Sequence, residues 1–141
     1  MAEKTLITLS KIHKQQTDLL RREMVALETE RHQLETLSGK LQDEHKQEMQ
    51  MVITQPSFGR FFGSYSSSVK RKLHNISEEI KRLSELIDAK RTLVMEEFSE
   101  QKKYEIAQEN ARKRMTEEEK HRLQSRFDEV ATQKYVRSEN A

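Results

Sequence analysis

Five histidines and 24 Asp and Glu carboxylates are the side chains of this chain that could bind a metal ion or transfer protons. No two histidines have the His-x-x-x-His spacing that brings both imidazoles to one face of a helix, so we expect no metal site. The carboxylates are spread along the chain, whereas acid–base catalysis needs a pocket that shifts the pKa values of two such groups apart. We therefore expect no enzymatic activity and no cofactor. The histidines are His13, His32, His45, His74 and His121.

Signatures of nucleotide binding, disulfides and glycosylation are also missing. The three glycines, Gly39, Gly59 and Gly63, form neither of the glycine-rich patterns that bind nucleotide phosphates. The absence of cysteine excludes a disulfide scaffold and thiolate chemistry. Asn75-Ile76-Ser77 has the letters of a glycosylation acceptor, but Ile76 belongs to an apolar helical repeat and we expect no secretory signal peptide.

Charge and hydropathy restrict the partners of the chain. The 26 Lys and Arg nearly balance the 24 Asp and Glu, and the two signs are mixed along the sequence. This balance argues against the strong positive field on which nonspecific nucleic-acid binding depends. No apolar run approaches the roughly 20 residues that would cross a bilayer, so we expect no direct membrane span and a cytoplasmic protein.

The composition and periodicity favour a coiled coil. Charged residues make up 35% of the chain and hydrophobic residues only 33%, which is too little apolar material for a globular core. The apolar residues are nevertheless in phase, because one ladder repeats every seven residues and a second ladder has 3-4 spacing. The first ladder is Leu20, Leu27, Leu34 and Leu41, and the second is Val69, Leu73, Ile76, Ile80, Leu83 and Ile87. Each ladder must be buried against a long helical partner, and the nearest is the other ladder.

A short segment between the ladders must reverse the chain. Residues 55–66 contain the only proline and two of the three glycines. Pro56 biases Gln55 away from helical angles, while Gly59 and Gly63 can adopt positive φ without strain. Gly39 is expected to soften the first helix without breaking it.

Polar and phase-shifted positions interrupt the two ladders. His13, Gln16, Arg31 and His45 occupy core-like positions in the first helix. After Val94 the apolar stripe is predicted to shift phase to Phe98, as a stutter that loosens the supercoil. Folding the chain near residue 60 leaves about 20 residues of the second helix without an internal partner, an overhang of roughly 30 Å. This overhang still carries apolar residues at Leu123, Phe127 and Val130, which suggests a docking surface.

These patterns together predict an all-α fold in which two long helices form an antiparallel coiled-coil hairpin, the second helix being longer and ending in a C-terminal overhang. We predict a single domain over residues 1–141. Its first helix covers about 5–53, its turn about 54–66 and its second helix about 67–136.

Several features in this order resemble the FliJ family of flagellar type III export proteins, which is related to the stalk proteins of injectisomes. They are a Leu-Ile-x-Leu opening at 6–9, a long first helix, an aromatic turn with Pro56, and a longer second helix. Near its end the chain has Arg126-Phe127-Asp128-Glu129-Val130-Ala131, similar to the acidic doublet in an apolar setting that closes the family's basic and acidic C-terminal stretch.

The resemblance implies a stalk like that of rotary ATPases, located in the cytoplasm and peripherally associated with the inner membrane at the export apparatus. Its partners would be the hexameric export ATPase, the cytoplasmic domain of the export gate, and export chaperones. The end bearing both termini would enter the ATPase ring, with contacts at Lys4, Lys11, Lys113, Arg114, Arg122 and Arg126. The region near the turn would contact the gate through Phe61, Phe62, Tyr65 and Val69.

Other interpretations stay open. An injectisome stalk protein has the same pattern, and so does a coiled-coil chaperone or adaptor, although the dozen residues after Gln55 are too few for the strands that prefoldin inserts. A nucleic-acid-binding helical arm would need a one-sided basic face, which Glu117–Glu119 interrupt. A parallel homodimeric zipper through Leu20 to Leu41 is the remaining alternative. The aromatic residues of the turn could cap the helix seam, bind a partner, or do both.

Overall fold

Two long α-helices and a short turn make up the computed structural model, which describes residues 2–140. Helix α1 is Ala2–Thr54 and has 53 residues, and helix α2 is Phe62–Asn140 and has 79. Between them Pro56–Arg60 forms one 3-10 turn. No strand occurs among the described residues. The predicted all-α class with a longer second helix is confirmed, while the first and last residues of the predicted domain lie outside the described residues.

The turn is shorter than predicted, because α2 begins at Phe62 and not near residue 67. The amide of Tyr65 donates a hydrogen bond to the carbonyl of Phe61 at 3.1 Å, so the serine-rich segment that follows is already helical. Gln55 is extended, at φ −133° and ψ 94°, as expected for a residue before proline. Its amide donates to the carbonyl of Met51 and closes α1.

The three glycines lie in the turn and in the two helices. No described residue has a positive φ, so Gly59 and Gly63 do not use the left-handed conformation that glycine can adopt. A β-carbon on Gly59 would lie 3.4 Å from Cγ1 of Val52, so the turn packs against α1 at this residue. Gly39 lies inside α1 without a break in the helix, as predicted.

The chain forms two compact units. One unit is Gln16–Glu96, which we call the turn unit. The other consists of the described residues of Met1–Gln15 and Glu97–Ala141, and we call it the terminal unit.

Within the turn unit the two helices run antiparallel. Lys90 Nζ donates to Glu23 at 2.5 Å, and Arg31 donates to Ser84 at 3.4 Å. Nearer the turn, Nε2 of His45 is hydrogen-bonded to the Ser66 hydroxyl at 2.9 Å. Because the α2 partner moves back along the chain as the α1 residue advances, these contacts confirm the predicted antiparallel hairpin in this unit.

The core of the turn unit is contributed unequally by the two helices. Its most buried apolar side chains, Val69, Leu83 and Ile87, all come from the second ladder. On α1 the heptad leucines are half-buried, and the alternate seam position is mostly polar, being occupied by Thr17, Met24, Arg31, Ser38 and His45. Gln16, which was predicted at a core-like position, is exposed, whereas Thr17 is only 1% exposed.

In the terminal unit α1 also runs antiparallel to α2, but the contact is largely polar. His13 Nδ1 lies 2.6 Å from Glu97, and its ring stacks on Tyr104 with 5.3 Å between centroids. The more buried positions of α2 here include Glu97, Gln101, Tyr104, Gln108 and Ala111, at 4-3-4-3 spacing.

The predicted stutter at Phe98 is wrong. Glu97 follows Val94 at an interval of three residues, so the half-buried positions of α2 keep their heptad phase. Phe98 falls outside this series and is 41% exposed. The seam residues change from aliphatic to polar, and a pattern based on hydropathy therefore followed the exposed phenylalanine instead of the buried face.

The end of α2 is exposed along its whole length. Every residue from Arg112 to Asn140 is exposed, and we call this segment the terminal helix. Ala2 and Glu3 lie beside Ala111–Glu118, so α2 extends past the first described residues of α1, as predicted. Within residues 2–140 no helix combines the length and hydropathy needed to cross a bilayer.

Candidate functional site

Exposed apolar side chains cluster where the turn unit reverses direction. Six large apolar residues within 49–65 are exposed, and we call them the turn surface: Met49, Met51, Ile53, Phe58, Phe61 and Tyr65. Ile53 and Phe61 are each 76% exposed, the largest values among the exposed apolar residues of the described chain. A local concentration of exposed apolar residues marks a site of interaction more often than an isolated exposed residue does.

Two aromatic residues of the turn, Phe62 and Tyr65, form a cluster with His45. Phe62 is half-buried, and its ring lies 5.7 Å from that of His45. The ring of Tyr65 completes a cluster with these two, since its centroid lies 6.4 Å from that of His45 and 6.3 Å from that of Phe62. These rings close the end of the helix seam, and the hydrogen bond between His45 and Ser66 holds the imidazole in place.

Of the four residues predicted to contact the export gate, Phe61, Phe62 and Tyr65 line one small hollow, whereas Val69 does not. Val69 is only 4% exposed and lies in the seam. Phe62 faces His45, and Tyr65 is exposed at the edge of the same cluster. Phe61 is the most exposed of the four at 76%, and the guanidinium of Arg60 lies 6.0 Å from its ring centroid. Phe62 thus caps the seam, whereas Phe61 is left largely in contact with solvent.

Two hollows flank the turn surface. The larger, of about 510 Å³, is lined by Gln47, Gln50, Met51, Thr54, Gln55 and Phe58. The smaller, of about 110 Å³, is lined by Glu48, Val52, Phe58, Phe61, Phe62 and Tyr65. Phe58 contributes to both, and Glu48 is the only carboxylate in either lining. Such hollows can accept the apolar groups of a partner, and the side-chain amides of the glutamines can add a few hydrogen bonds. This combination is suited to binding.

Sequence reasoning missed Met49, Met51, Ile53 and Phe58 as parts of this surface. A signal was available, because the heptad phase of α1 continues from His45 to Glu48 and Val52 and leaves Ile53 one residue off the seam. Phe58 lies in the 3-10 turn, where no helix face can bury it.

All six residues predicted to contact the ATPase ring lie in the terminal unit and are exposed. Arg114 lines a hollow of about 330 Å³ together with Ala2, Glu3, Ala111, Met115 and Glu118, which places it next to the start of α1 that carries Lys4. Lys11 lies elsewhere on α1, and the other three lie on the terminal helix. The structure therefore brings Lys4 and Arg114 into one neighbourhood, and Arg122 and Arg126 follow further along α2.

The basic residues of the terminal helix are available to a partner. Among the described residues, Lys113, Arg122 and Arg126 have no ion-pair partner. The acidic run Glu117–Glu119 lies between Lys113 and Arg122. Arg122 and Arg126 each directly precede an exposed apolar residue, Leu123 and Phe127. Mixed charge around a sparse apolar stripe favours many weak contacts over one large dry interface.

The titratable groups with altered pKa values belong to helix-surface pairs. The hydrogen bond from Arg82 lowers the pKa of Glu79. Hydrogen bonds from Gln101, and then from Lys102, lower the pKa of Glu105. These are contacts between residues three or four apart on α2, the usual pairing on a helix surface. Over residues 2–140 no group of three or more His, Asp or Glu side chains is arranged to hold a metal ion.

Comparisons with protein-family models, curated proteins and solved structures find no match to this chain. A function has to be proposed from the residues and their placement.

Proposed function

We propose that this chain is a non-enzymatic central-stalk and escort component of the flagellar type III export apparatus, as its resemblance to the FliJ family implies. It enters the hexameric export ATPase ring, links that ring to the export gate, and binds export chaperones. The observation that best supports this proposal is the pairing of two antiparallel helices of unequal length, 53 and 79 residues, with the longer ending in an exposed and charged segment.

The terminal helix suits a contact inside a ring. A stalk must stay in place while the subunits around it change state, which requires exchangeable contacts instead of one large apolar interface. Arg122 and Arg126 are exposed and lack ion-pair partners among the described residues, and each exposed pair with a carboxylate contributes only about 0.2–1 kcal/mol. Lys4 and Arg114 add positive charge where α1 begins. Lys11 and Lys113 are exposed as well.

The turn surface suits the contact with the gate. Phe61 and Tyr65 present exposed rings, and aromatic residues are enriched among those that dominate binding energy. Phe62 and Val69 support them from the seam and hold the turn in one conformation. We place the protein in the cytoplasm, peripherally associated with the inner membrane through this contact.

A charge-reversal pair tests the ring contact. The double variant Arg122→Glu and Arg126→Glu should weaken binding to the purified export ATPase about tenfold or more, because two attractive exposed contacts become repulsive. The matched control reverses two exposed basic residues of the turn unit, Lys40→Glu and Lys46→Glu, which gives the same change in net charge. Equal weakening by both variants would show that net charge, and not the terminal helix, determines binding.

A coiled-coil chaperone or adaptor is the second candidate, and the turn surface favours it, since six exposed apolar side chains could hold an unfolded client. An injectisome stalk protein would use the same surfaces. Binding to a flagellar ATPase or to an injectisome ATPase distinguishes a flagellar stalk from an injectisome stalk. Client binding that the ATPase does not affect supports the chaperone.

A further inference from the structure

The apex of the turn unit, around residues 53–61, combines protruding apolar side chains with little negative charge, since Glu48 is the one carboxylate in the linings of its two hollows. Residues 49–77 contain no Asp or Glu, although the chain has 24 of them. The same stretch contains Arg60, Lys70, Arg71 and Lys72, all exposed. The exposed apolar residues of the apex are Ile53, Phe58 and Phe61.

We propose that this apex binds the surface of a membrane rich in anionic phospholipid, with Ile53, Phe58 and Phe61 inserted among the lipid headgroups. Apolar side chains flanked by basic residues bind such surfaces through two additive terms, burial of apolar area and attraction to the anionic headgroups. The proposal goes beyond the proposed function, because it needs neither the ATPase nor the gate.

The distribution of the apolar groups favours a lipid surface over a protein groove. Phe58 lines the hollows on both flanks of the turn, Phe61 lines only the smaller one, and Ile53 lines neither. A partner that binds one flank would leave the other side chains in water. A bilayer surrounds a protruding apex from all sides and covers all three residues together.

The backbone of the apex is suited to this environment. Amide groups that approach the acyl chains should already be hydrogen-bonded, because water becomes scarcer from the headgroups toward the hydrocarbon core. The amide of Gln55 donates to the Met51 carbonyl at 2.8 Å, and that of Phe58 donates to the Gln55 carbonyl at 3.1 Å. Pro56 has no amide hydrogen to satisfy.

The basic residues lie within reach of the same surface. Arg60 is at the apex itself, beside the ring of Phe61. Tyr65, Ser68 and Lys72 follow one another at intervals of three and four residues and so share one side of α2, and Tyr65 lines the smaller hollow together with Phe61. Lys72 is roughly 16 Å from the apex along the helix axis. A tilt of the turn unit toward this side brings its ammonium within the screening length of the lipid charge.

A single tryptophan at the apex tests the proposal directly. The chain contains no Trp, so Phe61→Trp provides a unique fluorescent reporter in the full-length protein. We expect a blue shift of its emission with vesicles of phosphatidylglycerol and phosphatidylcholine, but not with phosphatidylcholine alone. Raising the salt concentration from about 0.1 M to 1 M shortens the screening length from about 10 to 3 Å and should release the protein. Phe127→Trp is the matched control, because Phe127 is 72% exposed but lies in the terminal unit.

Two further variants separate the apolar and electrostatic terms. Phe58→Ser should lower the partition coefficient about tenfold, and Arg60→Gln about fivefold on vesicles rich in anionic lipid. Phe127→Ser should leave it unchanged. Helix content measured by circular dichroism confirms that each variant is folded before vesicles are added.

Three results would overturn the proposal. They are an equal shift with phosphatidylcholine alone, an equal response of the tryptophan at position 127, and no vesicle binding by a folded chain. Because only lipid and this chain are present, the outcome is independent of whether the ATPase or the gate binds.

Discussion

Leu83 is the position at which the seam of the turn unit can be tested most sharply. Its side chain is 0% exposed, as is that of Ile87 one turn later on α2. Both lie in the ladder that supplies the apolar half of the interface with α1. We therefore expect Leu83→Ala to destabilise the fold without changing any surface contact.

The size of the effect follows from the atoms removed. Truncating leucine to alanine removes the equivalent of three methylene groups, at about 0.8 kcal/mol each, or about 2.4 kcal/mol of transfer free energy. Buried Leu→Ala changes cost about 2–5 kcal/mol when the cavity term is included. A seam between only two helices is open at its flanks and can partly collapse, so we expect about 2–3 kcal/mol for Leu83→Ala.

Urea denaturation followed by circular dichroism measures this change in the free energy of unfolding. Leu123→Ala is the matched control, since it is the same substitution on the same helix but on the exposed terminal helix. There we expect a change within about 0.5 kcal/mol, as for most surface positions. Equal destabilisation by both variants would refute the placement of Leu83 in a buried seam, and so would no destabilisation by Leu83→Ala.

Two further predictions concern single residues of α1 and α2. Gly39→Ala should raise the free energy of unfolding by about 0.5–1 kcal/mol, because Gly39 is inside α1 and a β-carbon there meets no atom within 4 Å; a loss of stability in urea would show that the backbone there is not helical in solution. The folded-state pKa of Glu105 lies below the ordinary value of 4.5, chiefly because of the hydrogen bond from Gln101, so its carboxylate stabilises the fold above the ordinary pKa and this contribution is lost as the pH falls through the folded-state value. Glu105→Gln should therefore make the melting temperature less sensitive to pH in the acidic range, and an unchanged acid dependence would contradict the contact.

Periodicity predicted the helices and much of the seam. The leucine ladder of α1 and the 3-4 spacing from Val69 to Ile87 each predict a buried stripe, and both stripes are found in the turn unit. A heptad of apolar residues can be buried on only one face of a helix, so the phase follows from the sequence wherever the seam is apolar.

Where the seam becomes polar, the sequence no longer determines the phase. Thr17 is buried and Gln16 is not, although both are polar, because Thr17 is in register with the leucines and small enough to pack between helices. The apolar stripe was predicted to shift to Phe98 because this residue is apolar, whereas the more buried face of α2 continues through Glu97 and Gln101. A local stripe cannot reveal which polar residues face the partner helix.

The candidate surfaces were predictable only in part. Composition indicated an aromatic turn, but the division between capping Phe62 and protruding Phe61 depends on where α2 begins. With α2 starting at Phe62, this ring faces His45, and its neighbour Phe61 precedes the helix and faces outward. The charged terminal helix was predictable from its sequence, because residues with no partner helix are exposed whatever their phase.

The central claim, that this chain is a stalk of an export ATPase, is tested most directly by adding increasing amounts of the purified chain to the flagellar export ATPase. ATP hydrolysis and the fraction of hexamer would be measured in the same samples. The account predicts that both rise together, and that Arg122→Glu with Arg126→Glu reduces the rise while Lys40→Glu with Lys46→Glu does not. Unchanged hydrolysis and unchanged hexamer content, with a chain shown by circular dichroism to be folded, would contradict the claim.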